Sequence, residues 1–167
     1  KHFGPPYYSF DYGNVHFVAL NNVEYAGADN EFSNGVYRGF ISDVQLQWLR
    51  NNLTHVPTEK LLVIASHIPL ITEADDGVSP ILTGPNTENF AELLKILEPF
   101  ENIYGLAGHD TSNSFKVQIN HQHGWTGKPW IAHTLGEVRG SGWTRGPRDF
   151  RGVRDAMMQD GNPNGFY

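Results

Sequence analysis

The stretch that most limits what this chain can fold into is Leu61 to Leu70, Leu-Leu-Val-Ile-Ala-Ser-His-Ile-Pro-Leu. Its unbroken apolar run, with β-branched Val63 and Ile64, reads as a strand buried on both faces, as in a sheet covered by helices. Pro69 has no N–H to give to a ladder, so the strand is expected to stop near His67. In open α/β sheets ligands sit beyond the carboxyl ends of the strands, which is where His67 would lie. Ile103-Tyr104-Gly105-Leu106-Ala107-Gly108-His109-Asp110 repeats the arrangement. Two strands that each end in a histidine point to one shared site.

The elements around these strands follow from local patterns. Tyr7 to Phe10 and Val15 to Leu20 are β-prone runs joined by Asp11-Tyr12-Gly13-Asn14, a hairpin signature. Val15 to Leu20 is apolar at nearly every position, so this strand too is expected to be covered on both sides. Residues from Asn21 to Arg38 show no period and read as a surface excursion. Ser42 with Gln45 fits a capping box, and Leu46, Leu49 and Leu53 recur at helical spacing until Pro57. A long polar connection runs from Thr72 to Asn86. A second helix is expected from about Glu88 to Glu98, with Thr87 as its cap and Phe90, Leu93, Leu94 and Leu97 as its apolar stripe. Strand, helix and strand in this order predict a parallel, right-handed crossover. Phe115 to Ile119 alternates like a half-exposed strand, with Trp130 to Leu135 as its partner. No stripe long enough for an element is legible beyond Gly136.

Composition narrows the function classes. A net charge of −6 offers no basic face for phosphate backbones, so nucleic-acid binding is not expected, although five arginines cluster between Arg139 and Arg154. Cysteine is absent, which excludes disulfides and thiolate metal sites. No apolar run approaches the roughly 18 residues of a membrane span. With 18 Gly and 10 Pro among 167 residues, long loops are expected to carry much of the function. The start at Lys1, without a methionine or signal peptide, reads as a cut or processed chain.

Taken in order, several motifs resemble the calcineurin-like metallophosphoesterases, and within them a bacterial subgroup with an additional C-terminal domain. They are Gly4-Pro5-Pro6-Tyr7-Tyr8-Ser9-Phe10-Asp11-Tyr12-Gly13-Asn14-Val15-His16-Phe17, Gln45-Leu46-Gln47-Trp48-Leu49, Ser66-His67-Ile68-Pro69 and Gly108-His109. The tail Met158-Gln159-Asp160-Gly161-Asn162-Pro163-Asn164-Gly165-Phe166 adds to the likeness. The resemblance implies an α/β fold: residues 1–167 as the C-terminal half of a four-layer αββα sandwich, a mixed sheet with two main helices. It also implies hydrolysis of a small-molecule phosphate ester at a dinuclear site of divalent metals (Mn, Fe, Zn or Mg), and a periplasmic or extracytoplasmic location. His67 and His109 match two ligands of one metal. The family's earlier ligand blocks have no match here, Ser66 replaces a glycine, and Thr111 stands where the second metal would take a histidine, with Asp110 beside it as a candidate oxygen ligand at that second-metal position. Two imidazoles fall short of the roughly three protein ligands of a catalytic metal site. The chain alone is therefore expected to bind metal weakly and to hydrolyse nothing. The competing expectation is a non-catalytic fragment or binding module that keeps the fold with a degenerate metal site.

Other residues carry two readings each. His133 matches a position that is often histidine in the subgroup, so it serves either the pocket or the fold. Trp125, Trp130 and Trp143 either stack on a ligand ring or fill the core, with the core favoured. Arg145, Arg148, Arg151 and Arg154 either grip a phosphate or pair with the aspartates among them. His121 and His123 would share a face on a strand, but a solvated turn is the stronger reading. Glu73, Asp75 and Asp76 read as a polar surface loop. A half-sandwich would leave apolar surface uncovered, which favours a homo-oligomer.

Overall fold

A computed structural model describes residues 4–25, 37–71, 86–109, 115–136 and 143–158, with 143–146 and 154–158 described by backbone alone. The described residues form a mixed α/β fold. A six-stranded sheet runs in the order β1 (Tyr8–Tyr12), β2 (Val15–Ala19), β5 (Leu61–Ala65), β6 (Asn102–Ala107), β8 (Trp130–Thr134), β7 (Phe115–Ile119). The four central strands are parallel to one another, and β1 and β7 close the two edges antiparallel. Two short antiparallel pairs stand apart from it, β3 (Val23–Tyr25) with β4 (Tyr37–Gly39) and β9 (Trp143–Arg148) with β10 (Arg154–Met158).

The β1–β2 hairpin turns on Gly13 and Asn14 alone. Gly13 takes φ 56°, the positive value that a tight two-residue hairpin demands at its first turn position. At the far edge the Phe115–Ile119 strand and its partner form as the alternation implies. Trp130 and Ile119 pair across them, and both are buried.

Helix α1 (Asp43–Leu53) joins β2 to β5 by way of β3 and β4, and α2 (Phe90–Leu97) joins β5 to β6. Leu46, Leu49 and Leu53 from α1 and Leu93, Leu94 and Leu97 from α2 are buried in one cluster with Val18, Leu62, Ile64 and Ile103 from the sheet. Burying an aliphatic side chain of this size stabilises by about 1.5–3 kcal/mol, so this layer is the source of most of the fold's stability. Two details of the helix starts differ from the sequence reading. Ser42 does cap α1, accepting from Gln45 N at 3.4 Å, but the Gln45 side chain does not return the bond: it reaches across to the main chain of Asn21. Asn89, not Thr87, precedes the first turn of α2; the Thr87 hydroxyl donates instead to the Pro69 carbonyl, at 3.1 Å.

Registration shows that the sheet is fully covered on one face only. His16, Val18, Leu62, Ile64, Ile103, Gly105, Ala132 and Val117 share the helix-side face, and all are buried. The opposite face carries Tyr8, Phe10 and Tyr12 at 49%, 50% and 77% exposure, with Val15, Phe17, Ala19, Tyr104, Leu106 and Ile131 half-buried. Rings line up along its edge: Phe10 stacks on Phe17 at 4.9 Å between centroids and on Tyr8 at 6.3 Å. The expectation that β2 is buried on both sides is thus corrected. A largely apolar run records what a strand can tolerate, not what covers it. Among the described strands, the middle of β5, with Leu62, Val63 and Ile64 all under 10% exposed, meets the two-sided pattern, as does the end of β8, with Ala132, His133 and Thr134.

The β1 edge is tied to α1 by polar groups. His16, 5% exposed, is hydrogen-bonded to Asp11 at 2.8 Å and to Asn52 at 3.0 Å, and Asn52 donates to Ser9 at 2.9 Å. The hydrogen bond from His16, and then that from Lys60 at 3.2 Å, hold the Asp11 carboxyl below its usual value of 3.8.

Candidate functional site

β5 ends at Ala65 and β6 at Ala107, and each strand is followed two residues later by a histidine. The two loops are joined through their backbones. Ser66 N donates to Leu106 O at 2.9 Å and Gly108 N to His67 O at 3.0 Å, so the parallel pairing continues in outline past the sheet. This brings the rings together: His67 Nε2 lies 3.2 Å from His109 Nδ1, with centroids 5.0 Å apart. The Tyr37 hydroxyl reaches the other nitrogen of His109 at 3.3 Å. His67 is exposed and His109 half-buried, so the pair faces solvent.

That spacing can be tested against metal chemistry. With bonds of about 2.0–2.1 Å, two imidazole nitrogens on one tetrahedral cation sit about 3.3 Å apart, and their ring centres about 5.2 Å apart. A collinear N–H···N hydrogen bond at 3.2 Å would hold the ring centres farther apart, at about 5.5 Å. The observed 3.2 and 5.0 Å satisfy a bent ring-to-ring hydrogen bond, and they also hold the two nitrogens at the separation that one shared cation would need. Among the described residues no group of three or more His, Cys, Asp or Glu comes together.

His109 adopts φ 70°, and it is the only non-glycine at positive φ among the described residues. The left-handed region costs a residue with a Cβ about 1–2 kcal/mol. Outliers of this kind concentrate where the surrounding structure holds a side chain for use.

His67 is held from behind. Asn22, at 0% exposure, accepts from His67 N at 3.1 Å and from Ile68 N at 3.0 Å through its Oδ1. Its Nδ2 donates to Ile68 O at 2.7 Å and to Thr87 Oγ1 at 2.9 Å. Ser66 Oγ adds a bond to the same Ile68 carbonyl at 2.9 Å. Sequence reasoning passed over Asn22. The available signal was an Asn-Asn pair directly after a core strand, at the end of the sheet where the two histidines lie.

The remaining residues singled out from sequence divide clearly. His133 is on β8, 3% exposed on the less covered face of the sheet, and hydrogen-bonded to the Tyr104 hydroxyl at 2.9 Å. Asp110 and Thr111, and the acidic loop with Glu73, Asp75 and Asp76, lie outside the described residues, as do the side chains of Trp143, Arg145 and Arg154. Trp125 and Trp130 are core residues at 3% and 4% exposure, in line with the favoured core role. Arg151 pairs with Asp149 through two nitrogens, each at 2.8 Å, and Arg148 donates to the Gly152 carbonyl. His121 and His123 sit in a 3₁₀ turn capped by Asn120, so strand geometry does not align their rings. A cleft of about 390 Å³ lined by Arg50, Val56, Lys95 and Phe100 opens where the two helices end and lead into β5 and β6, at the end of the sheet away from the histidines.

Burial, and then the charge of Lys116, push His133 below its ordinary value of 6.5. A histidine kept neutral by the fold binds its proton later than in the unfolded chain. The stability it contributes is whole above 6.5 and is lost as pH falls below that value through the folded one. The thermal midpoint of the wild type is expected to decline as pH falls below 6.5. His133→Gln should flatten that decline, as followed by circular dichroism across a pH series. An equal slope in both proteins would show that His133 does not set it. Asp11, held low, acts in a separate window: its contribution is present above 3.8 and fades only as pH drops below.

No protein-family model matches this chain, and no curated protein matches it either.

Proposed function

We propose that this chain, taken alone, is a binding module that keeps a divalent-metal half-site without hydrolytic turnover. Hydrolysis of a small-molecule phosphate ester then belongs to an assembly in which further ligands complete the site. The observation that supports this is the approach of His67 Nε2 to His109 Nδ1 at 3.2 Å beyond two parallel strands. His67 and His109 would hold the cation, whether Mn, Fe, Zn or Mg. When bound, it supplies Lewis-acid stabilisation of charge on phosphoryl oxygens. Two imidazoles are fewer than the roughly three protein ligands usual in catalytic metal sites, which favours the non-catalytic reading of the isolated chain.

The choice of phosphate esters over other substrates rests on the resemblance to calcineurin-like metallophosphoesterases, and so does the extracytoplasmic location. The one-sided sheet is in keeping with half of an αββα sandwich. Its aromatic face is then the surface on which a second sheet or a second copy would pack.

Calorimetric titration with Zn²⁺ and Mn²⁺, beside an assay of bis(p-nitrophenyl) phosphate hydrolysis, tests the proposal. The expected result is weak one-to-one metal binding that His67→Ala removes, and no turnover. Turnover by this chain alone would overturn the non-catalytic reading, and a complete lack of metal binding would overturn the half-site.

A further inference from the structure

Among the described residues, three buried carboxamides, Gln45, Asn89 and Asn22, share one mode of bonding to main chain. Gln45 donates to Asn21 O at 2.7 Å and accepts from Asn21 N at 2.8 Å; Asn89 donates to Ile41 O at 2.7 Å and accepts from Ile41 N at 3.0 Å. Each imitates one rung of a β-ladder with a peptide that has no strand partner there. Asn22 follows the same pattern, but its peptides are those of His67 and Ile68. All four of its hydrogen-bonding positions are used, and two backbone N–H groups on Oδ1 fix which end of the amide is oxygen.

We infer that Asn22 is a positioning residue for His67: by clamping the His67–Ile68 main chain at the end of β5, it sets the imidazole at the distance and angle from His109 that the pair requires. The functional meaning of this clamp rests on the reading of His67 as a metal ligand, whereas the clamp itself does not. Gln45 extends the support one step back, because it anchors Asn21, the residue before the clamp, to α1. Thr87 extends it sideways: its hydroxyl accepts from Asn22 Nδ2 and donates to the Pro69 carbonyl at 3.1 Å. His67 otherwise stands on an exposed loop, where a side chain would sample several rotamers. A positioned main chain fixes the point and direction from which the side chain leaves the loop, so that a rotamer facing His109 is available before any ligand arrives.

The experiment compares Asn22→Ala with Asn89→Ala, which removes a clamp of the same kind at Ile41, and with the conservative Asn22→Asp, which keeps the acceptor for the two N–H groups. Amide hydrogen exchange and the ring-to-ring nuclear Overhauser effect between His67 and His109 are measured by NMR on metal-free protein, and Co²⁺ uptake by visible absorption. Asn22→Ala is expected to speed exchange at His67 and Ile68 by about 10- to 100-fold relative to Val63, to weaken the ring-to-ring effect, and to lower Co²⁺ affinity. Asn22→Asp should restore protection at the two amides, and Asn89→Ala should lower thermal stability while leaving His67 exchange and the ring-to-ring effect intact. If Asn22→Ala does not fold, Thr87→Val, which removes one of the four bonds, should give the same changes in smaller measure. Wild-type exchange rates and an unchanged ring-to-ring effect in folded Asn22→Ala, or in Thr87→Val where the alanine variant does not fold, would overturn the inference. So would equal changes in Asn89→Ala. Wild-type protein that takes up no Co²⁺ would overturn the metal reading alone, since the metal-free measurements still decide the clamp.

Discussion

Gly39→Ala is expected to lower the thermal midpoint by about 10 °C, corresponding to about 3 kcal/mol for a chain of this size. Gly39 ends β4 and bridges to Thr87, and its carbonyl accepts from Glu88 N at 2.8 Å. A Cβ built there lands on the carbonyl oxygen of Asn86 and lies 3.0 Å from both the Asn86 carbonyl carbon and Ile68 Cγ2. The obstacle is backbone on one side and a side chain 1% exposed on the other, so neither can swing away. The next residue is pinned as well, since Phe40 N donates to Asn22 O at 2.9 Å. Relief therefore means parting β4 from residues 86–88, which draws Thr87 off Asn22. Differential scanning calorimetry measures the effect, and a shift smaller than about 2 °C would mean that the 86–88 segment yields freely. A wild-type-like melt would then also weaken the link between Thr87 and the His67 loop.

The second expectation sets stability against the site. His109→Gly should stabilise the chain by about 1 kcal/mol relative to His109→Ala, because glycine enters the left-handed region that φ 70° requires without a Cβ penalty. Both variants lose the ring that faces His67, so both should abolish the metal binding proposed for the pair. Thermal melts and calorimetric metal titration on the same samples separate the two effects. Equal stability of the glycine and alanine variants would show that the backbone at 109 relaxes at little expense, and the αL conformation would then carry no information about use.

The sequence exposed the periodic part of this structure and hid the part that depends on single polar contacts. Leu46, Leu49 and Leu53, and Phe90, Leu93, Leu94 and Leu97, mark their helices because burial repeats with the helical turn. The Leu61 and Ile103 runs mark strands by their apolar content, the strand, helix, strand order marks them as parallel, and Pro69 limits the first of them. That placed His67 and His109 at neighbouring strand ends, as found. Asn22, Gln45 and Asn89 leave no such mark. One amide that bonds to a distant peptide has no period, and Gln45 three residues after Ser42 imitates a capping box while serving Asn21. Thr87 misleads in the same way, its hydroxyl being used by the loop rather than the helix. The β9–β10 pair went unseen because β9, Trp-Thr-Arg-Gly-Pro-Arg, is broken by Gly and Pro, and β10, Arg-Asp-Ala-Met-Met, shows no apolar alternation. Its turn was the available clue, with Asp149 Oδ1 accepting from Arg151 N at 2.9 Å and Val153 N at 3.0 Å.

The neutral character of the buried amides has a consequence for how the two-histidine arrangement responds to its medium. Ion pairs at the surface, such as Arg38 with Glu24 and Glu88, weaken as ionic strength rises, because mobile ions screen them over about 8–10 Å at moderate salt. Amide-to-peptide pairs carry no net charge to screen. In a chain with a net charge of −6, salt will shift long-range repulsion and the local concentration of cations, while the loop that presents His67 keeps its shape from dilute buffer to brine.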